Sequence, residues 1–110
     1  MSDRAWATKA HEIVARVASS DAGAAKNFRT QCMNSPVLVR QAGALQAVAF
    51  WRRTAEGKEF SDCVAEIRGD RDGAGLLDAL AKLPDGEYVD ASRKLVRIVG
   101  WLRRFAQAEL

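Results

Sequence analysis

Three arginines near the end of the chain carry the first chemical suggestion. Arg93, Arg97 and Arg104 are spaced i, i+4, i+11, which keeps them within about 40° of one another on a helix. Gly100 lies beside them and adds no side chain, while Lys94 and Trp101 flank the row. Guanidinium forks suit phosphate, and an indole can stack on a base or on a partner protein. Earlier in the chain, Lys26, Arg29 and Met33 are spaced i, i+3, i+7 and share one helix face. A solvated helix surface produces the same spacings. Residue type alone therefore leaves nucleic acid and plain solvent both open.

Catalytic chemistry finds much less to work with. The one histidine, His11, falls on a solvent-leaning position of the first helix. Cys32 and Cys63 stand apart without CxxC spacing and read as free thiols of a reducing compartment. No His/Cys cluster has metal-ligand spacing, and there is no GxSxG, P-loop, dinucleotide fingerprint or HExxH. Asp62, Glu66 and Asp70 recur every fourth residue, as on a charged solvated face. "RGD" within "RGDRDGAG" reads as a loop rather than an integrin ligand, and "GDRDGAG" lacks the spacing and closing Glu of a calcium loop. The expectation is a binding or structural module, not an enzyme, with no cofactor and no metal.

Composition and charge are consistent with that. With 110 residues, 48% apolar and 28% charged, the chain suits one globular domain, residues 1–110. No apolar run approaches a membrane span, and "MSDRAWATKAHE" has no signal-peptide core, so a cytoplasmic location is expected. The net charge of +3 is segregated. Residues 1–57 hold eight Arg/Lys against four Asp/Glu, residues 58–86 four against seven, and residues 87–110 five against three. Basic ends and an acidic middle suit one surface for nucleic acid and an acidic edge for a basic partner.

The elements that would carry these residues are all helices. Trp6, Ala10, Ile13, Val14 and Val17 form one face of a helix from about Asp3, its expected N-cap, to about Ala18. Ala25, Phe28 and Cys32 are the stripe of a short helix over about 22–33, which "NSP" should end, Pro36 then opening the next helix. "PVLVRQAGALQAVAFWRR" is apolar nearly all round, which predicts a central helix over 36–55, with Gly43 allowing close approach of a neighbour and Gly57 breaking the helix. A fourth helix should span about 58–68, burying Phe60, Val64 and Ile67. A mobile glycine-rich loop follows, then a short helix over about 74–83 burying Leu76, Leu77, Leu80 and Leu83. The last helix runs from about Glu87 onward, with Tyr88, Ala91, Leu95, Ile98, Val99, Leu102 and Ala106 inward and Phe105 at the margin. The fold class is thus all-α, a bundle of five to six helices. The polar residues of the central segment, Arg40, Gln41, Arg52 and Arg53, emerge at its edges and are candidate partner contacts together with Trp101.

Two segments resemble a known family. "KNFRTQCMNSPVLVRQAGALQAVAF" is similar to a hallmark of the small helical subunit of type III-B CRISPR effector complexes, the Cmr family. The matching residues are Lys26, Phe28, Ser35, Pro36, Gly43, Leu45, Gln46, Ala49 and Phe50. "LVRIVGWLRRFAQAEL" resembles the family's closing helix, through Trp101 and Arg103–Ala106. The family commonly has Asn before the glycine; here Ala42 stands there, with Gln41 as a substitute. The resemblance implies a non-catalytic subunit stacked in several copies along a ribonucleoprotein filament, bracing the pairing of CRISPR RNA with target RNA. Its partners would be other Cmr subunits, further copies of itself, and RNA met mainly through phosphates. Lys26, Arg29, Arg93, Lys94, Arg97 and Arg104 are the candidate RNA contacts. The alternative is a helical adaptor or DNA-binding module outside CRISPR, though the helix after "NSP" is too apolar to enter a groove.

Overall fold

A computed structural model describes residues 2–110, and all six elements among them are helices. These are α1 (Asp3–Ala18), α2 (Ala22–Ala42), α3 (Ala44–Trp51), α4 (Ala55–Arg68), α5 (Gly73–Ala81) and α6 (Asp85–Glu109). Four begin with a side-chain cap. Ser2 Oγ accepts from the Ala5 N–H, Asp21 Oδ1 from Ala24, Thr54 Oγ1 from Gly57 and Asp72 Oδ1 from Gly75. Each takes up one donor that a helix start leaves without an intrahelical partner. Asp3, expected as the first cap, is instead the first helical residue.

The expected break at "NSP" does not occur; α2 continues through Pro36. Proline has no N–H, so the carbonyl four residues back, that of Cys32, loses its helical donor. The buried Ser35 hydroxyl donates to that carbonyl at 3.1 Å. The Ser-Pro pair thus carries its own repair, and both residues face the core. Interruption comes instead at Gly43, with φ +85° and ψ 165°. The predicted central helix over 36–55 is therefore two pieces, the end of α2 and the short α3.

Gly43 does permit a close approach, as expected of it, but by a side chain. A Cβ there would sit 2.7 Å from the Tyr88 hydroxyl. That hydroxyl accepts from the Leu45 N–H at 3.0 Å, and Ser92 Oγ accepts from Ala44 at 3.1 Å. Two α6 side chains thus cap α3 from outside its own segment. No amide side chain at position 42 is needed for that capping.

Gly57 does not end a helix; it lies in the first turn of α4, where an added Cβ would collide with the Trp51 carbonyl. The glycine-rich segment expected to be mobile is a short connection held at several points. Gly69 closes α4 in the left-handed conformation, and the N–H groups of Gly69 and Asp70 both donate to the Ala65 carbonyl. Arg68 binds both oxygens of Asp70, and Asp62 accepts from the Gly73 N–H.

The core differs from expectation in its hub. α6 packs against α1, α2, α3 and α4. Its Leu95, Ile98, Val99, Leu102 and Ala106 are fully buried, as their spacing predicts. The all-round apolar segment is not wrapped by neighbours, since Val37 and Phe50 are about half exposed. Leu77 and Leu83, expected to be buried, are only partly so. Beneath α4, Phe60 packs edge-on to Trp51 at 5.0 Å between ring centres and tilted to Phe28 at 5.6 Å.

Candidate nucleic-acid interface

The continuity of α2 changes which residues belong together. On one unbroken helix, Lys26, Arg29, Met33 and Arg40 fall within about 60° of one another. The stripe foreseen as two cations thereby gains Arg40, which sequence spacing had placed on another helix as a partner contact. Arg40 is also the hinge to α6. α2 and α6 run in opposite senses, with Leu45 against Tyr88, Ala44 against Ser92, and Arg40 facing the segment Val96–Arg104. Lys26, Arg29, Arg40, Arg93, Lys94, Arg97 and Arg104 all reach the surface.

The cations of this face differ in how free they are. Arg97 donates to Asp3 Oδ2 at 2.6 Å, tying α6 to the start of α1. Lys94 pairs with Asp90 one turn back at 2.9 Å. Arg104 lies over the Trp101 ring, its guanidinium carbon 4.7 Å from the ring centre. Such a contact is worth about 0.5–1 kcal/mol at an exposed site and holds the fork in place without neutralising it. Among the described residues, no ion pair engages Lys26, Arg29, Arg40, Arg93 or Arg104.

Trp101 is half-buried rather than standing free, and packs on its own helix. Its ring stacks on Phe105 at 6.0 Å, and Phe105 in turn meets exposed His11 at 4.9 Å. Around Trp101 and Gly100 a cleft of about 210 Å³ opens, lined also by Asp3, Arg40, Arg97 and Arg104. The adjoining groove along the α2–α6 seam, about 300 Å³, is mainly apolar, with Val39, Tyr88, Val89 and Val96 between Arg40 and Arg93.

The remaining candidates lie apart from this face. Arg52 is partly buried and works inside the chain, donating to Ser61 Oγ at 3.2 Å and lying 3.8 Å from Asp62. Exposed Arg53 sits over the exposed Phe50 ring at 5.3 Å. Gln41 is exposed at the end of α2. The two thiols are free. Burial pushes Cys63 up to about 11 and Cys32 higher still, so neither is a nucleophile at neutral pH. No group of His, Cys, Asp and Glu among the described residues could hold a metal, and no described helix is long and apolar enough to cross a membrane.

Asp3 and Tyr88 make the long-range contacts that spacing missed. Asp3 read as a cap and Tyr88 as core; their partners lie 94 and 43 residues away, beyond any local pattern.

Comparison with known proteins bears on the whole chain. A family model described as CRISPR-associated protein (Cas_Cmr5) matches residues 2–109. The chain is 34% identical over 105 residues to the CRISPR system Cmr subunit Cmr5 of Thermus thermophilus, a match spanning 94% of this chain and 90% of that relative. The crystal structure of a CRISPR-associated Cmr5 family protein from Thermus thermophilus superposes with a TM-score of 0.93 at 32% identity, covering 100% of this chain and 98% of that one.

Proposed function

This chain belongs to the Cas_Cmr5 family of CRISPR-associated proteins, and from that premise we propose that it is a non-catalytic, cytoplasmic subunit of a type III-B (Cmr) effector complex whose α2–α6 face braces paired CRISPR and target RNA. The other Cmr subunits are its partners, and further copies of the chain stack beside it along the filament. The observation that carries the RNA contact is the free charge of one face: Lys26, Arg29 and Arg40 along α2 and Arg93 and Arg104 along α6, none in an ion pair among the described residues. Cations without internal partners are available to phosphates, and a rigid pair of helices sets their spacing. Binding of this kind tolerates sequence and weakens with salt. The exposed apolar side chains Val37, Phe50 and Val89 offer surface to neighbouring subunits.

Photocrosslinking tests the assignment. A complex assembled with this subunit and a target RNA carrying photoreactive groups should yield crosslinked peptides from 26–40 and 89–104. Crosslinks confined to α4 and α5, or none to this subunit in an assembled complex, would remove the RNA role from the α2–α6 face.

A further inference from the structure

Building on the RNA-contact reading above, we propose that the cleft beside Trp101 receives one unpaired nucleotide of RNA whose base carries an exocyclic amino group. The cleft measures about 210 Å³. That is below the roughly 300–1,000 Å³ of sites for drug-sized ligands, so it suits a single ring system rather than an extended ligand or a duplex.

Its lining supplies a partner for each part of a nucleotide. Trp101 provides a partly open aromatic surface, and Gly100 keeps the approach clear, since a Cβ there would meet nothing within 4 Å. Stacking of a base on such a ring is worth about 1–3 kcal/mol. Phe105 stacks on the indole and sets the ring, while the Arg104 guanidinium lies over it, so an entering base takes the place of Arg104 on the ring and the displaced fork turns to a flanking phosphate. Arg40 reaches the same cleft from α2, giving two guanidinium groups free of carboxylates for the flanking phosphates.

Asp3 is the group that selects a base over a bare phosphate. Its Oδ2 accepts from Arg97, but its Oδ1 is shut from water and has no hydrogen-bond partner among the described residues. A buried acceptor left in that condition costs about 1–3 kcal/mol. Phosphate oxygens carry no hydrogen and would face a carboxylate, so phosphate alone cannot relieve it. The amino groups of cytosine, adenine and guanine can. Uracil offers one ring N–H flanked by two carbonyl acceptors, which oppose a carboxylate. Asp3 lines the cleft and its side chain is 40% exposed; turning the carboxylate about Cβ–Cγ moves both oxygens and brings Oδ1 toward the cleft, with Arg97 shifting alongside.

The test uses the full chain at low salt and fluorescently labelled ribo-oligonucleotides: oligo(C), oligo(U) and an abasic ribose-phosphate strand of equal length. Oligo(C) should bind about five-fold or more tighter than either of the others, the worth of about one hydrogen bond, and should quench the emission of Trp101. The other two indoles, Trp6 and Trp51, are buried and serve as the constant background. Trp101→Leu should reduce oligo(C) to the abasic level, and Trp101→Phe should restore part of the difference. Asp3→Asn should erase or reverse the preference for C over U, because its amide can donate to a uracil carbonyl. Equal binding of all three strands, unchanged by Trp101→Leu and Asp3→Asn, would overturn the base pocket while leaving backbone contact by the arginines intact. Absence of binding by every strand would overturn it together with the RNA reading.

Discussion

The two sides of this bundle handle their charges in opposite ways. Around α4 and α5, Arg52, Arg68, Arg71 and Lys82 each have a carboxylate within 4 Å, supplied by Asp62, Asp70, Asp72 and Asp78. Those pairs and the caps at Thr54 and Asp72 close a chain segment rich in glycine and charge. Along α2 and α6, by contrast, Lys26, Arg29, Arg40, Arg93 and Arg104 are left without ion pairs among the described residues. Exposed ion pairs contribute little to stability, about 0–1 kcal/mol each, so the difference matters less for holding the fold than for what each side can offer. Around α4 and α5 most cations are held by carboxylates, Lys58 excepted, whereas along α2 and α6 most are left outward, Lys94 and Arg97 excepted, among the described residues. The net charge of +3 understates how basic the second side is.

The α4 side is the more sensitive to substitution. Gly57→Ala would drive a methyl group into the Trp51 carbonyl. Backbone cannot yield as a flexible side chain would, so the loss should reach about 3 kcal/mol or more, read as the midpoint of urea unfolding. The seam between the two sides is next. Cys63 of α4 has its thiol raised from 9.0 to about 11, and Cys32 of α2 is raised further, both chiefly by burial. The folded state therefore holds these protons after the unfolded chain has released them. Stability is complete below about pH 9 and falls as pH rises from there through about 11. Melting temperatures across pH 8–11 should show this decline, and Cys63→Ser should make it shallower, leaving the part that Cys32 contributes. Asp62→Asn removes a carboxylate that accepts from Gly73 and neighbours Arg52. It should cost about 1 kcal/mol and leave RNA binding by the assembled complex as it was. The smallest effect lies on the basic side. Gly100 is inside α6 with open space around its Cα, so Gly100→Ala should stabilise by about 0.5–1 kcal/mol in the same urea assay.

Much of the fold was legible in the sequence because α1, α4, α5 and α6 show apolar positions at helical spacing, and most of those positions are buried. The family was legible in the two segments around Pro36 and Trp101. What local pattern misread was the middle of the chain. Ser35-Pro36 has the form of a helix start, and only the burial of Ser35 against the Cys32 carbonyl turns it into a helix interior. Gly43 proved to be both the expected close contact, with Tyr88, and the helix break, while Gly57 is a close contact with the Trp51 carbonyl and no break. The misreading of Ser35-Pro36 split α2 and so hid the place of Arg40 on the same helix stripe. The α6 row was visible from spacing, but the Asp3–Arg97 pair was not. It makes Arg97 a link between α6 and α1 as well as a surface charge, and a reversal of charge there would set two carboxylates against each other. Arg40, Arg93 and Arg104 are the cleaner probes.

The most direct test of the account is the salt dependence of target RNA binding by the assembled complex, with wild-type subunit and with Arg40→Gln/Arg93→Gln/Arg104→Gln. Loss of three phosphate contacts should make the slope of log K against log salt shallower by about 2–3, at about 0.7–0.9 per contact for each copy that engages, with the stability of the isolated subunit lowered by no more than the about 0.5–1 kcal/mol of the Arg104–Trp101 contact. Identical slopes and affinities for the two complexes would contradict the assignment of the α2–α6 face to RNA.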